Sequence, residues 1–449
     1  MDAPESPLAI VILAAGQGTR MQSALPKVLH PIAGRPMIAQ VLAVAERLAP
    51  AKIVTVVAPG MDRVTAAVAP HPTAVQTRPL GTAHALLAAA EVLADDLAAG
   101  ADVLVLYGDG PLIAETTLSA MLAKRRDADF VWLAVRPPDP TGYGRLIREE
   151  GKLQRIVEEK DASPEERREG LVWGGLLAGR GRRLFELASR IDNRNAKGEF
   201  YLTALVSLGN EAGAVSTLCE RPLEEVLGVN SRRELAAAEA VMQRRLRLAA
   251  MENGVTLVAP ESVIFSWDTR LAADVTVEAN VVFGPGVTVA GGSVIRSFSH
   301  LEGVSVGANA TVGPFARLRP GTELGDEVHI GNFVEVKASH IECGAKANHL
   351  SYIGDATVGA AANIGAGTVT ANYNGVYKSR SEIGAGASVG SNTVLVAPVR
   401  LGAGAIAGAG SVLTEDVPDG AIAVARAKPS VTPRAAERYR ARLRKEKIR

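Results

Sequence analysis

A run of small residues near the start of the sequence has the chemistry of a phosphate-binding loop. Residues 13–21 read Leu-Ala-Ala-Gly-Gln-Gly-Thr-Arg-Met, and Pro26-Lys27 follows. Because the side chains are small, backbone N–H groups can approach a phosphate or a base closely. Arg20 and Lys27 add charge that can neutralise a triphosphate as a leaving group develops. A bare Gly-x-Gly also fits an ordinary tight turn, but the whole string is more specific and predicts phosphate chemistry.

An acidic residue, Asp109, follows the apolar residues 103–106 and the pair Tyr107-Gly108. At the end of a buried strand its carboxylate is well placed to hold Mg²⁺ against phosphates. Taken alone, Asp109 is better explained as a turn residue or a helix cap. Together with the loop at 13–21 it predicts a metal site.

Basic and histidine side chains in the second half of the sequence suggest a different reaction. His349 can act as a general base near neutral pH and take a proton from an attacking amine. Arg319 and Lys337 can hold an anionic group such as a phosphate. Each has a plainer explanation when considered singly, since a lone His is more often structural and a lone Lys or Arg is usually solvated. The sequence pattern around these residues therefore determines which explanation is favoured.

That pattern is a repeat of six residues. Apolar residues recur at Val277, Phe283, Val289, Ile295, Val306, Val312, Leu318, Leu324, Ile330, Val336, Ile383, Val389, Leu395, Leu401, Ala407 and Leu413. A three-sided coil with one inward residue per side has this period, with about 18 residues per coil. We therefore predict a left-handed parallel β-helix of roughly seven coils over residues 277–413.

The repeat fails in two places, and the candidate residues lie there. It slips between Val336 and Val358, the segment that contains Lys337, His349 and Tyr352. It is interrupted again at residues 372–378, which predicts a protruding loop. A regular coil has no need of polar residues at such places, so the breaks are candidate sites.

The first half of the chain alternates strand and helix patterns. Apolar runs at 8–13, 53–57, 103–107 and 130–135 are separated by helical patterns, for example at 37–48 and 82–93. This alternation predicts a Rossmann-like α/β domain with a parallel sheet covered on both faces. Ligands bind such sheets at the carboxyl ends of strands, where the loop at 13–21 and Asp109 lie.

A long helical pattern at residues 231–252 follows, and Asn253-Gly254 ends it. It fits an arm that connects two domains, and it fits an ordinary packed surface helix equally well. The predicted organisation is an α/β domain over 1–230, a linker helix over 231–252, and a β-helix with a C-terminal tail over 253–449.

Composition limits the other possibilities. The 449 residues are 47% hydrophobic and 22% charged, as in soluble globular proteins with more than one domain. A net charge of +1 gives no general attraction to nucleic acids or anionic membranes. Two cysteines predict neither a disulfide framework nor a metal cage.

The first residues predict no signal peptide and no membrane span, so the cytoplasm is the expected compartment. The basic residues 429–449 predict a solvated tail without nucleic-acid binding.

The N-terminal motifs resemble those of the sugar-phosphate nucleotidylyltransferase family. Residues 13–27, Gln76 with Leu80-Gly81-Thr82-Ala83, and Tyr107-Gly108-Asp109 carry this resemblance. The second of these, Gln76 with residues 80–83, resembles the segment with which the family reads the base. Over residues 8–426 the chain resembles one bacterial family, the bifunctional N-acetylglucosamine-1-phosphate uridylyltransferases / glucosamine-1-phosphate acetyltransferases. The strings in its second half are Gly-Pro-Phe-Ala-Arg-Leu-Arg-Pro-Gly at 313–321, Gly-Asn-Phe-Val-Glu at 331–335, Asn-Ile-Gly-Ala-Gly-Thr at 363–368 and Asn-Tyr-Asn-Gly at 372–375.

The resemblance implies two sites in the chain. In the first domain UTP and the sugar would be bound by Leu13, Ala14, Ala15, Gly16, Lys27, Gln76, Gly81, Thr82, Tyr107, Gly108, Asp109, Gly144, Glu158 and Asn230. Asp109 and Asn230 would hold Mg²⁺, and Arg20 and Lys27 would stabilise the transition state. In the second domain His349 would be the base, with the sugar phosphate on Arg319, Lys337, Tyr352 and Asn363. Acetyl-CoA would contact Ala366, Asn372, Tyr373, Ser391, Ala409 and Arg426, in a homotrimer with acetyl sites shared between subunits and closed by a neighbour's tail.

Two departures from the family pattern leave alternatives open. Trp173 stands at the substrate-binding position where the family has an Asn, and Gly110 replaces a bulkier residue after Asp109. Uridylyl transfer could therefore be weakened, or changed to another sugar or base. Two further alternatives are a non-catalytic assembly subunit of the same architecture and a β-helical zinc enzyme of the γ-carbonic anhydrase kind that uses His329, His340 and His349.

Overall fold

The computed structural model describes residues 6–447. The chain divides into two compact units, Met1–Leu246 and Arg247–Arg449. The division falls inside the helix Arg232–Glu252. The domain limits of 1–230, 231–252 and 253–449 remain a prediction.

The first unit is built on a twisted sheet. Its main strands lie in the order Ser216–Glu220, Phe130–Val135, Val172–Arg180, Asp102–Tyr107, Leu8–Leu13, Lys52–Val57 and Thr73–Val75. All pairs are parallel except those of Val172–Arg180, which runs antiparallel to both neighbours. A hairpin of Arg145–Glu149 and Lys152–Val157 branches from this strand at Val172. The four predicted strands are confirmed within one residue at their ends.

Helices cover both faces of this sheet. They are Met37–Arg47, Asp62–Val68, Thr82–Ala88, Ala94–Ala98, Glu115–Arg125, Gly181–Ala188 and Leu205–Glu211. Along the strand Leu8–Leu13, Val11 and Leu13 enter one apolar core while Ile10 and Ile12 enter the other. Strands buried on both faces need apolar residues at every position, which explains the continuous apolar runs. The helix predicted over 82–93 ends at Ala88, where the N–H of Ala89 bonds to the carbonyl of Leu86 and tightens the last turn.

The long helix Arg232–Glu252 is packed within each unit. In the first unit Ala238 and Val241 join a small core with Ile32 and Met37. In the second unit the Arg247 guanidinium donates to the carbonyl of Val263 and to Glu261. The helix ends as predicted, with Gly254 in the left-handed region and the N–H of Val255 on the carbonyl of Ala250.

The second unit is a left-handed parallel β-helix of hexapeptide repeats with three sheets. The ten strands of the first sheet are Thr256–Leu257, Thr276–Val277, Val294–Ile295, Thr311–Val312, His329–Asn332, Lys346–His349, Asn363–Ile364, Ser388–Val389, Ile406–Ala407 and Ile422–Ala423. The eight of the second are Arg270–Leu271, Thr288–Val289, Val304–Val306, Thr322–Leu324, His340–Ile341, Ala356–Val358, Ser381–Ile383 and Val399–Leu401. The eight of the third are Val282–Phe283, His300–Leu301, Arg317–Leu318, Glu335–Lys337, Tyr352–Gly354, Val369–Ala371, Val394–Val396 and Val412–Leu413.

The inward apolar column is continuous through the first predicted break. Ile341, Ala347 and Ile353 are buried between Val336 and Val358, so the apparent slip is a pair of shortened steps and not a gap in the core. The second break is the predicted protruding loop. Tyr373 and Lys378 form an antiparallel bridge at its base, and Val376 and Tyr377 are exposed at its tip.

The chain ends in the helix Ala435–Lys447, which has no buried residue. None of the helices described between residues 6 and 447 combines the length and the apolar character that crossing a membrane requires.

Candidate active sites

The glycine-rich loop borders a cavity of about 290 Å³ in the first unit. The cavity lies at the carboxyl ends of the strands Leu8–Leu13 and Asp102–Tyr107, as parallel sheets favour. Its lining includes ten of the predicted residues, namely Leu13, Ala14, Ala15, Gly16, Lys27, Gln76, Gly81, Thr82, Tyr107 and Asp109. The Gln76 side-chain amide donates to the carbonyl of Gly81, so these two segments form one wall.

Lys27 joins the two predicted metal ligands. Its ammonium donates to Asp109 Oδ2 and, over 3.1 Å, to Asn230 Oδ1. Two oxygen atoms from distant parts of the chain thus converge on one cation, and Mg²⁺ prefers such ligands when phosphates complete its shell. The residues present therefore fit the ion. Gly18 makes this arrangement possible, because a Cβ at that position would lie 2.5 Å from Lys27 Cβ.

A second cavity of about 620 Å³ opens beside the first in the same unit. The predicted residues that line it are Arg20, Thr82, Tyr107, Asp109, Gly144, Glu158, Trp173 and Asn230. Gly110 lines it too, and an added Cβ there would make an ordinary contact with the carbonyl oxygen of Tyr107 at 3.6 Å. Of the predicted residues of this domain, Gly108 lines neither cavity. A Cβ there would lie 2.8 Å from Ile38 Cδ1, so this glycine serves close packing.

Lys197, Glu199 and Tyr201 are among the residues of the second cavity that were not predicted from the sequence. They belong to a segment with no strand or helix, which gave no periodic signal. Its main chain is held against the predicted base-reading segment, since Phe200 N–H donates to Leu80 O and Phe200 O accepts from Ala83 N–H. Burial and the nearby Glu199 carboxylate raise the pKa of Tyr201 to about 12.

Burial changes the pKa values of two ionisable groups of this cleft, Glu158 and Tyr107. Burial raises the pKa of the Glu158 carboxyl, and the hydrogen bond that Thr203 Oγ1 donates to it over 3.1 Å opposes the shift. Burial and then the charge of Glu158 raise the pKa of Tyr107 well above its ordinary value. Tyr107 therefore stays a neutral hydroxyl at any physiological pH.

Trp173 lies at the edge of this cleft, and the one polar atom of its side chain is already hydrogen-bonded. Its indole N–H donates to the carbonyl of Leu176 over 3.1 Å. The ring meets Trp132 and Tyr107 edge-on, with centroids 5.8 and 6.3 Å away. Trp173 therefore presents an apolar surface to the cleft where the family pattern has an amide.

Gly81 is expected to tolerate no side chain. Its φ is +116°, and a Cβ would lie 2.5 Å from the carbonyl oxygen of Phe200. Gly81→Ala should therefore destabilise the first unit by about 1–3 kcal/mol and weaken the base-reading wall. Gly60→Ala is the matched control, since Gly60 has a φ of +75° and open space around it. Thermal unfolding checks this, and equal melting temperatures of the two variants would contradict it.

In the second unit His349 is exposed at the end of the strand Lys346–His349. Its Nδ1 lies 2.8 Å from Asn332 Oδ1, and the two residues pair across adjacent strands. An amide oxygen only accepts, so Nδ1 carries the proton and Nε2 is free to act as a base. A groove of about 330 Å³ beside the ring includes Arg296, His329 and Asn332.

Successive corners of the β-helix are joined by backbone hydrogen bonds in a row that begins at His349. The carbonyl of His349 accepts from Gly367 N–H, that of Ala366 from Asn392 N–H, and that of Ser391 from Gly410 N–H. Arg426 then donates from its guanidinium to the carbonyl of Ala409. The structure therefore brings His349 into line with four of the six residues predicted for acetyl-CoA, namely Ala366, Ser391, Ala409 and Arg426.

Three of the four predicted sugar-phosphate residues, Arg319, Lys337 and Tyr352, lie in a separate charged cluster, whereas Asn363 lies on the first sheet, in the strand Asn363–Ile364. Arg319 pairs with Glu335 over 2.8 Å and Lys337 with Asp355 over 3.3 Å. Asn372 donates to Asp355 and to the hydroxyl of Tyr352. Lys378, which the sequence analysis did not select, joins this cluster, and the hydrogen bond with Lys337 lowers its pKa. The groove beside His349 contains none of Arg319, Lys337, Tyr352 and Asn363. Tyr373 bonds within its own loop, to the carbonyl of Gly375.

The three histidines of the zinc alternative do not meet in this chain. His340 lies on the second sheet of the β-helix and pairs with Glu323, whereas His329 and His349 lie on the first. Among residues 6–447 no group of three or more His, Cys, Asp or Glu side chains is placed to hold a metal ion.

Comparison with known proteins connects these sites to a family. Residues 10–167 match the model of the MobA-like NTP transferase domain, and residues 303–338 match that of the bacterial transferase hexapeptide, six repeats. The "Bifunctional protein GlmU" of Paramagnetospirillum magneticum is 53% identical over 88% of this chain and 88% of its own. That of Sphingopyxis alaskensis is 50% identical over 98% of both chains. The chain belongs to the family of bifunctional GlmU proteins.

GlmU proteins match the present chain through both of its units, since the Jannaschia relative is 50% identical over 99% of this chain and 98% of its own. Among solved structures, a UDP-glucose pyrophosphorylase complexed with UDP-glucose aligns with 53% of this chain and 99% of its own at 15% identity, with a TM-score of 0.43. The GlmU relationship therefore rests on sequence identity.

Proposed function

We propose that the chain makes UDP-N-acetylglucosamine in two reactions, one in each unit. The observation that carries this proposal is the 50% identity to a "Bifunctional protein GlmU" over 98% of the chain, which includes both clusters of site residues. Because this relative is named a bifunctional protein, the alternative of a non-catalytic assembly subunit is disfavoured. The product would supply synthesis of the bacterial envelope in the cytoplasm.

The first reaction is acetyl transfer in the second unit. The amine of glucosamine 1-phosphate attacks the thioester carbon of acetyl-CoA, the new C–N bond forms, and the C–S bond breaks to release CoA as a thiol. His349 Nε2 takes the proton from the amine, because Nδ1 is committed to Asn332. Backbone N–H groups would hold the oxyanion that develops. The column of Ala366, Ser391, Ala409 and Arg426 supplies a track for acetyl-CoA, and the cluster of Arg319 and Lys337 supplies positive charge for the sugar phosphate.

Asn332 should matter through the orientation of His349. Asn332→Ala removes the acceptor at 2.8 Å from Nδ1, so either ring nitrogen can then carry the proton. We expect the rate of acetyl transfer to fall about tenfold to a hundredfold, in the range of lost orienting partners of a catalytic histidine. Asn348→Ala is the control, because it lines the same groove one residue away. Release of CoA thiol measures the rate, and equal losses in both variants would contradict the orienting role.

The second reaction is uridylyl transfer in the first unit. A phosphate oxygen of N-acetylglucosamine 1-phosphate attacks the α-phosphorus of UTP, and the bond to the departing pyrophosphate breaks. Lys27 and Arg20 lie at the two adjoining cavities and neutralise charge on the phosphates. Magnesium held by Asp109 and Asn230 would add charge neutralisation at the same phosphates. Glu158 and Gly144 would bind the sugar, and Gln76 and Gly81 the base.

A homotrimer is part of the proposal. Phe298, Phe315 and Phe333 stack along one corner of the β-helix with ring centroids 4.9 and 5.1 Å apart. Leu350 continues this row, and all four side chains are exposed. A contiguous exposed apolar row is typical of a surface that another subunit covers. Sharing between subunits would also complete an acetyl site whose base and phosphate-binding cluster lie in different places on one chain. Sedimentation equilibrium of the full chain tests the trimer.

One coupled assay tests the proposal. Glucosamine 1-phosphate, acetyl-CoA, UTP and Mg²⁺ are supplied, and free thiol and pyrophosphate are followed separately. Both products are expected, with no nucleic acid or membrane required. Thiol without pyrophosphate would support an acetyltransferase whose first unit is weakened or selects another sugar. The apolar surface of Trp173 is the specific observation in favour of that second candidate.

A further inference from the structure

Thr203 has a buried hydroxyl that donates to Glu158, a residue in the wall of the larger cavity of the first unit. Its side chain is 2% exposed, and Oγ1 donates to Glu158 Oε1 over 3.1 Å. Glu158 lines the cavity, whereas Thr203 does not. Thr203 can therefore act on a bound molecule only through the carboxylate of Glu158.

Hydrogen bonds to residues 80–83 fix the main chain that precedes Thr203. Leu202 N–H donates to Thr82 Oγ1 over 2.9 Å, and Phe200 exchanges two backbone hydrogen bonds with Leu80 and Ala83. The hydroxyl of Thr203 is thus held at a constant position by the wall of the smaller cavity. A donor fixed in this way can hold a carboxylate in one rotamer.

The electrostatic surroundings make the orientation of Glu158 important. Burial raises the pKa of this carboxyl, Thr203 and the charge of Lys197 lower it, and Asp161 and Glu199 raise it. Tyr107 also faces Glu158 and stays neutral. Because Oε1 accepts from Thr203, Oε2 is the oxygen that keeps both acceptor sites for a ligand donor such as a sugar hydroxyl.

We propose that Thr203 is a positioning residue for uridylyl transfer, which holds the Glu158 carboxylate aimed at a hydroxyl of the sugar phosphate. This inference rests on the proposed function of the first unit. It predicts an effect on the sugar and not on UTP, since Thr203 reaches the cavity only through Glu158.

The test compares three variants of the full chain. Thr203→Val keeps the shape and removes the donor, Thr203→Ser keeps the donor, and Thr55→Val is the matched control. Thr55 is fully buried, its hydroxyl has no hydrogen-bond partner among the described residues, and it lines neither cavity. Acetyl transfer in the same preparation reports whether the second unit is intact.

We expect Thr203→Val to raise the KM for N-acetylglucosamine 1-phosphate about tenfold, which corresponds to about 1.4 kcal/mol. The KM for UTP should stay within about twofold, as for Thr55→Val. The acidic limb of kcat/KM against pH should move to higher pH, because loss of the Thr203 donor leaves the pKa of Glu158 higher and the carboxylate is protonated sooner as pH falls. Thr203→Ser should restore both values.

An unchanged sugar KM and an unchanged pH profile in Thr203→Val would overturn the positioning role. Equal increases in both KM values would overturn it too, since they indicate a general structural defect. Titration calorimetry of N-acetylglucosamine 1-phosphate onto the full chain separates this inference from the proposed function. If the parent chain released no pyrophosphate, the proposed reaction would fail, yet a tenfold weaker binding by Thr203→Val would still support the role of Thr203 and equal binding would reject it.

Discussion

Replacing His349 by alanine is expected to lower the rate of acetyl transfer by about two to four orders of magnitude, the usual contribution of a general base. The reason is that Nε2 of His349 is the free nitrogen of a ring whose other nitrogen is fixed by Asn332 at 2.8 Å. The side chain is exposed and has little packing to lose, so folding should be unaffected. Release of CoA thiol measures the reaction.

The controls for His349→Ala lie in the same chain. His340→Ala removes another exposed histidine, which pairs with Glu323 on a different sheet, and should leave thiol release unchanged. Uridylyl transfer from supplied N-acetylglucosamine 1-phosphate should also proceed at the parent rate in both variants. Thiol release at the parent rate in His349→Ala would show that another group takes the proton.

Asp109→Asn should reduce uridylyl transfer by about two to three orders of magnitude, which is the scale for a lost electrostatic partner of a transition state. The substitution keeps the shape but removes the negative charge that meets Lys27 and that would hold Mg²⁺. Pyrophosphate release measures the rate, and a series of Mg²⁺ concentrations separates the two causes. A loss of metal binding should raise the Mg²⁺ concentration that gives half-maximal rate.

Asp62→Asn is the matched control for this substitution, since Asp62 lies in the first turn of the helix Asp62–Val68 and lines neither cavity. It should leave the rate and its Mg²⁺ dependence unchanged. Acetyl transfer should be normal in both variants. A parent-like dependence on Mg²⁺ in Asp109→Asn would remove Asp109 from the metal site.

Local pattern was enough to predict both architectures. The strand Leu8–Leu13 is buried on both faces, so its apolar run could be recognised without knowledge of its neighbours. The period of six in the second unit likewise reflects a contact that each coil makes with the next. The period could not show how the β-helix accommodates the two shortened steps. Ile341 follows Val336 one residue early, and both stay buried, with residues 338 and 339 alone between the strands Glu335–Lys337 and His340–Ile341.

The candidate sites were predictable where motif and strand end coincide, and not elsewhere. The loop at 13–21 and Asp109 follow neighbouring strands, so the sheet brings them to one cavity. Lys197, Glu199 and Tyr201 reach the cleft through main-chain bonds to a segment more than a hundred positions earlier, and no pattern in their own sequence reveals that. Lys378 was missed for a similar reason, since only the folded hairpin carries it to Lys337.

The contacts of the first turn of the helix Arg232–Glu252 determine where the chain can be truncated. Glu234 accepts from the N–H of Asn230 and from the hydroxyl of Ser231, and Arg232 donates to the carbonyl of Met21. Truncation after residue 230 would sever these ties and leave a frayed terminus at Asn230, the proposed magnesium ligand. An isolated uridylyltransferase fragment should therefore retain the helix through Leu246, where the first compact unit ends.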